Sequence, residues 1–114
     1  MASGRNIILT GMMGSGKSTI GQMLAERLDW LSVDTDSLIS LAVEKEITEI
    51  FATKGEAYFR QLEKEALLAA VKGERKVIAT GGGAVLDQEN RKAMSENGRV
   101  IYLRTSIEEL FERL

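Results

Sequence analysis

Gly11-Met12-Met13-Gly14-Ser15-Gly16-Lys17-Ser18 is the stretch on which the fold turns. It follows an apolar run at residues 7–10 and precedes Ile20, Met23, Leu24 and Leu28, which recur at helical spacing. The order therefore reads strand, glycine turn, helix, which is half of a βαβ unit. All eight residues match G-x-x-x-x-G-K-S in the setting that pattern requires. Glycines at 11, 14 and 16 permit backbone angles that a β-carbon forbids, so successive N–H groups can face one concavity and wrap a phosphate. The helix N-terminus behind them adds partial positive charge. Lys17 can bridge the β and γ phosphates of a nucleotide, and the Ser18 hydroxyl can ligate Mg²⁺. The plainer alternative is a glycine turn joining strand to helix, with Lys17 solvated. Thr19 either contacts the α-phosphate or caps the first turn, and Met12 and Met13 are filler beside the loop.

Outward from this motif the strand and helix signals keep alternating. A second strand at residues 31–33 stops at Asp34 and Asp36, and a mainly helical stretch at 37–71 is divided at Gly55. In its second part Phe59, Leu62, Ala66, Leu67 and Ala70 form an apolar stripe. Residues 77–80 make a third strand, closed by Gly81-Gly82-Gly83. A helix at 87–96 has Gly98 as its stop. Residues 100–103 are a fourth strand whose unbroken apolar character predicts burial on both faces. Ser106 and Glu109 have capping-box spacing and open a helix carrying Ile107, Leu110, Phe111 and Leu114. This alternation predicts an α/β fold with a parallel sheet, right-handed crossovers and helices on both faces. Ligands then belong at the carboxyl ends of the strands. Gly11, the Asp34 and Asp36 pair, and the Gly81-Gly82-Gly83 run each follow a strand, so they should converge on one rim.

Composition narrows the chemistry. The 114 residues suit a single domain, 1–114, with 44% hydrophobic and 28% charged residues, so one core is expected. A net charge of −2 supplies no overall basic field, so neither nucleic acid nor a membrane surface is an expected partner. Cysteine and histidine are both absent, which removes disulfides, thiolate nucleophiles, imidazole bases and the usual zinc ligands. Any reaction must use carboxylates, hydroxyls, Lys, Arg and backbone amides. No apolar run approaches the roughly 20 residues that cross a bilayer, and the first residues lack a signal-peptide pattern. A cytoplasmic protein is the expectation.

Three further segments carry candidate chemistry. Asp34-Thr35-Asp36, if extended, puts two carboxylates on one face; one can hold Mg²⁺ while Asp36 accepts hydrogen bonds from an acceptor hydroxyl. Taken alone, an Asp between strand and helix reads as a helix cap. Beside a phosphate cradle the balance shifts, because a phosphoryl transferase without His or Cys needs carboxylates near its metal and nucleophile. Arg60 lies between Glu56 at i−4 and Glu63 at i+3, so by spacing alone it is a surface ion pair. The competing role is a planar fork for a substrate carboxylate. Gly81-Gly82-Gly83 is either a flexible turn or a place where backbone closely approaches a small ligand. Phe51, Tyr58 and Phe59 read as core or pocket wall, since no basic stripe accompanies them.

Together, the Gly11 motif with Thr19, Asp34-Thr35-Asp36, Phe51-Ala52-Thr53-Lys54-Gly55-Glu56-Ala57-Tyr58-Phe59-Arg60-Gln61-Leu62-Glu63 and Gly81-Gly82-Gly83-Ala84-Val85 closely resemble the shikimate kinases. The likeness spans essentially the whole chain, and the F-A-T-x-G-E-x-x-F-R-x-x-E block and the G-G-G-A-V run are more specific than the phosphate loop. The resemblance implies a P-loop three-layer α/β/α fold and ATP-dependent phosphorylation of the shikimate 3-hydroxyl by a monomer. By the same resemblance Gly14, Ser15, Gly16, Lys17, Ser18 and Thr19 hold ATP, while Ser18 binds Mg²⁺ with support from Asp34. Asp36 is the base that engages the acceptor hydroxyls, Arg60 pairs with the shikimate carboxylate, and Gly82 donates its N–H to the substrate. Phe51, Phe59 and Glu63 line or brace the pocket. Family members continue through a lid bearing an ATP-contacting arginine, a fifth strand, a second substrate arginine and an adenine loop. Without these, a four-stranded chain is expected to bind phosphate and to transfer it poorly. A related small-metabolite kinase, such as a gluconate kinase, and a non-catalytic nucleotide-binding fragment are the alternatives.

Overall fold

The computed structural model describes residues 5–11 and 16–103. Met12, Met13, Gly14, Ser15 and the helix expected from Ser106 lie outside them. Four parallel strands, β1 (Asn6–Gly11), β2 (Leu31–Asp34), β3 (Lys76–Ala79) and β4 (Gly98–Leu103), form a sheet in the order β2-β3-β1-β4. Between them run α1 (Lys17–Leu28), α2 (Thr35–Val43), α3 (Ile47–Lys54), α4 (Glu56–Ala70), a 3-10 turn at Ala84–Leu86, and α5 (Gln88–Asn97).

Strand periodicity sorts the core into two layers. Leu9 and Val77 point to one face, where they meet Ala25 of α1 together with Ile7, Ile20, Leu24, Trp30 and Ile101. Ile8 and Ile78 point to the other, against Leu67 and Ala70 of α4 and Met94 of α5. Each such Leu or Ile contributes about 1.5–3 kcal/mol through burial. A third cluster of Ile39, Ile50 and Phe59 ties α2, α3 and α4 together beside the sheet. The result is the expected α/β/α layering, with helices on both faces of a parallel sheet.

Two contacts fix the sheet's depth. Gly11 ends β1 at φ 143, and a β-carbon there would fall 2.3 Å from the Leu103 carbonyl oxygen. At the other end of the same strand pair, a β-carbon on Gly98 would fall 2.4 Å from the Asn6 carbonyl oxygen. Buried Asn6 joins three connections at the opposite rim: Nδ2 donates to the carbonyls of Val71 (3.0 Å), Gly73 (3.3 Å) and Asn97 (3.3 Å), while Oδ1 accepts from the Lys76 amide (3.1 Å).

The structure corrects several expectations. The helical stretch begins at Thr35 rather than near residue 37, so Asp36 lies in the first turn of α2 and not in an extended segment. That stretch breaks twice. Gly55 at φ 87 separates α3 from α4 as expected, but α2 also ends at Glu44, which is left-handed at φ 56. Glu44-Lys45-Glu46 consists of good helix formers, so its local propensity hid the turn that Ser40 Oγ closes on the Lys45 carbonyl at 2.7 Å. Gly98 does stop α5, as expected, but in extended backbone that also serves the close approach to Asn6. Among the described residues β4 pairs with β1 on one side only, and its Val100 is 41% and its Tyr102 50% exposed, so its apolar run is not buried on both faces. Tyr58 is 44% exposed beneath Lys54, so it is not core.

Candidate active site

All three post-strand segments meet at the carboxyl rim of the sheet. Gly16, left-handed at φ 83, opens α1, and its carbonyl accepts the first helical bond from the Ile20 amide at 2.9 Å. Among the described residues no side chain caps this helix, and Thr19 stands exposed on its first turn. The orphan N–H groups of such a turn are what an anion seeks. Lys17 folds back so that Nζ donates to the Gly11 carbonyl oxygen. Burial holds its ammonium below the usual lysine range, against the opposing pull of Asp36 and Asp34.

The Ser18 hydroxyl donates to Asp34 Oδ2. The other oxygen of that carboxylate, Oδ1, accepts from the Ser37 amide at 3.2 Å and so caps α2. The capping and functional readings of Asp34 are therefore compatible, one oxygen for each. Thr35 turns inward, buried, with its hydroxyl donating to the Ala79 carbonyl at 3.4 Å, which ties the cap to β3 and swings Asp36 over the glycine run. Burial, reinforced by the charge of Asp34, pushes the Asp36 carboxyl above its ordinary range, while Lys17 and Arg60 oppose the rise.

Asp36 has an unexpected companion. Glu63, on α4, is only 2% exposed, and its Oε2 and Asp36 Oδ1 are both buried without a hydrogen-bond partner among the described residues. Each of these oxygens lies 2.9 Å from the point a β-carbon on Gly81 would occupy. Burial also pushes the Glu63 carboxyl up, against the pull of Arg60, with Asp36 and Asp87 adding to the rise.

Arg60 completes the rim. Its Nη1 donates to Glu63 Oε1 at 3.0 Å, and its Nε and Nη2 donate to Glu56 Oε2 at 3.4 Å. Its guanidinium lies over the Phe59 ring, 5.5 Å from the centroid, and Phe59 in turn meets Phe51 with centroids 4.6 Å apart. Of the five guanidinium N–H groups, these bonds use one on each nitrogen. Among the described residues, one N–H on Nη1 and one on Nη2 are left for a carboxylate. The ion-pair and fork readings again coexist, because the glutamates orient what the fork presents. Gly82 stands exposed in the turn that the Ala84 amide closes on the Gly81 carbonyl at 3.1 Å.

Lys17, Ser18, Asp34, Asp36, Arg60 and Gly82 thus share one rim, with Gly16 and Thr19 at the helix start; Gly14 and Ser15 are outside the described residues. Sequence reasoning placed Glu63 only as a brace. Its confrontation with Asp36 had one signal, the i+3 spacing that carries both Arg60 and Glu63 to the side of α4 facing α2. Among the described residues, no three acidic side chains cluster as a protein-only cation cage. A divalent ion here would rest on few protein oxygens, as Mg²⁺ beside phosphates does.

Comparison with known proteins gives a consistent result. The family model described as Shikimate kinase matches residues 13–114. A shikimate kinase of Persephonella marina is 50% identical over 109 residues, covering 96% of this chain and 66% of the relative. One from Symbiobacterium thermophilum is 48% identical over 108 residues, covering 95% of this chain and 62% of the relative. The chain thus spans a little under two thirds of the length of these relatives. Among solved structures, a shikimate kinase from Acinetobacter baumannii in complex with shikimate superposes with a TM-score of 0.88 at 38% identity, covering 98% of this chain and 63% of that one. A gluconokinase from Sinorhizobium meliloti reaches a TM-score of 0.54 at 17% identity, a likeness of fold alone.

Proposed function

Because this chain belongs to the shikimate kinase family, we propose that the whole protein moves the γ-phosphoryl group of ATP to the 3-hydroxyl of shikimate, giving shikimate 3-phosphate and ADP. The observation that carries the reading is the meeting on one rim of the Ser18 and Asp34 oxygens, the Asp36 carboxyl and the Arg60 fork.

ATP and Mg²⁺ are the cofactors in this reading, and the residues present fit them. Ser18 and Asp34 set two hard oxygen donors side by side at a helix N-terminus, the donor type that Mg²⁺ takes. Gly14, Ser15, Gly16, Lys17, Ser18 and Thr19 would hold the phosphates. When bound, Mg²⁺ neutralises charge on them. Lys17 exchanges its Gly11 carbonyl for phosphate oxygens and keeps a positive charge beside the transferring group. Arg60 pairs with the substrate carboxylate, and the Gly82 N–H donates to the substrate. Asp36 then takes up the proton of the 3-hydroxyl at a carboxylate oxygen. Burial and Asp34 make that carboxylate more basic than an exposed one, which suits a general base. Phe51 and Phe59 wall the site and keep Arg60 from collapsing into solvent. In this reading the protein acts as a cytoplasmic monomer on a small molecule, in keeping with its net charge of −2. Among the described residues, no helix is long and apolar enough to cross a membrane.

ADP release from ATP and Mg²⁺ tests the proposal. Turnover on shikimate and not on gluconate supports it. Turnover on gluconate would transfer the reading to a different metabolite kinase, and nucleotide binding with no turnover on either would leave a nucleotide-binding fragment.

A further inference from the structure

Glycine is chosen in proteins for its backbone freedom or for the space its missing side chain leaves, and at Gly83 the two can be separated. Gly83 has φ −94 and ψ 0, a conformation any residue adopts, so freedom is not the reason. Space is. A β-carbon at Gly83 would lie 2.3 Å from Arg60 Nη1 and 2.6 Å from both Cζ and Nη2. The guanidinium rests directly on this peptide. Its other supports are the Phe59 ring and the carboxylates of Glu56 and Glu63.

Resting on the reading of Arg60 as the carboxylate clamp, we propose that Gly83 is a positioning residue that sets where the substrate carboxylate is caught. With no β-carbon in the way, Arg60 settles low enough to reach Glu63 and keeps two N–H groups for a ligand. Gly81 does the corresponding work for the acids, since a β-carbon there would fall 2.9 Å from Asp36 Oδ1 and from Glu63 Oε2. The glycine run is then a template with two registers, one for binding and one for proton transfer. Misplacing a catalytic or positioning group by about 1 Å can cost on the order of 10²-fold, so a single methyl is enough to test it.

The test compares Gly83→Ala with Gly81→Ala. The atoms that Gly83→Ala displaces are the end of a flexible side chain, so the fold should survive and Arg60 should swing aside. Expected are a shikimate KM raised about tenfold, kcat within about twofold, an unchanged KM for ATP, and a shifted Arg60 Nε–H resonance. In an Arg60→Ala background, Gly83→Ala should then have no further effect on shikimate KM. Gly81→Ala should instead lower kcat more than it raises shikimate KM. An unshifted Arg60 resonance in Gly83→Ala, or a shifted one with unchanged shikimate KM, overturns the proposal, whatever Gly81→Ala does. Failure of the functional reading would show separately, as wild-type protein that does not bind shikimate at all, and the carboxylate role of Gly83 would fall with it.

Discussion

Replacing Glu63 by glutamine should stabilise this protein at neutral pH, although it deletes half of a buried ion pair. In the wild type, Glu63 Oε1 accepts from Arg60 at 3.0 Å, and Arg60 is 34% exposed, so solvent screens part of that attraction. Hydrogen bonds to charged groups contribute about 1.5–3 kcal/mol and neutral ones about 0.5–1.5, so the substitution forfeits roughly 1 kcal/mol on the Arg60 side. On the other side, Glu63 Oε2 and Asp36 Oδ1 are buried acceptors without a donor, converging over Gly81. An unsatisfied buried polar atom costs about 1–3 kcal/mol; a glutamine amide nitrogen in the place of Oε2 removes one such acceptor and offers a donor to the other, Asp36 Oδ1. The net gain is about 1 kcal/mol at pH 8. It should shrink as the pH falls through the raised Glu63 value. The Glu63 carboxyl is raised in the folded protein, so the native state holds its proton more tightly than the unfolded chain. Wild-type stability therefore falls as pH rises from the ordinary glutamate value, about 4.3, through the raised folded value. Below that window the protonated acid offers Asp36 the same donor that an amide would. Urea denaturation at pH 5, 7 and 8, followed by the fluorescence of Trp30, the sole tryptophan, measures all of this. A variant less stable than wild type at pH 8, or a difference independent of pH, would refute the reasoning.

Other expectations concern single groups. Lys17→Ala should weaken ATP binding about tenfold or more by calorimetry, because a charge-assisted contact to phosphate is lost; unchanged affinity and turnover would remove Lys17 from the site. Asp36→Asn should lower kcat by about 10²–10⁴ with ATP affinity nearly intact, since Asp34 and not Asp36 meets Ser18. A large loss of ATP binding in that variant would move Asp36 to the metal. Asn6→Ala should cost about 3 kcal/mol in chemical denaturation, because its amide serves four backbone groups and leaves the buried Val71 carbonyl unmatched. A cost below 1 kcal/mol would show that water replaces it freely.

Most of the architecture was legible because it follows from strong local signals. The apolar runs of β1 and β3, the Gly55 break and the Asp34 cap are each decided by a few adjacent residues, and their order dictates a parallel sheet. What escaped depends on neighbours distant in sequence. β4 looks as apolar as β1, yet Val100 and Tyr102 are exposed, because burial is set by what packs on each face and not by the strand's own composition. The turn after α2 is made by a left-handed glutamate, which no composition rule anticipates. At the site, Arg60 could not be read from its i−4 and i+3 partners, because the same glutamate contacts suit a surface ion pair and a guanidinium held in place for a ligand. The opposition of Glu63 to Asp36 needs α4 and α2 to meet above Gly81, a tertiary fact. Gly81 and Gly83 can be read from sequence as a flexible turn or as a close backbone approach to a ligand, and only the fold shows that Asp36, Glu63 and Arg60 fill the space beside them.

The location of the transferred phosphate tests the central claim most directly. Protein incubated with Mg²⁺, shikimate and ATP labelled in the γ-phosphoryl group should place the label on the shikimate 3-hydroxyl, read by phosphorus-proton correlation in the product. Label found on another hydroxyl, released as inorganic phosphate, or left on ATP would contradict a rim that aims Asp36 and Arg60 at one acceptor.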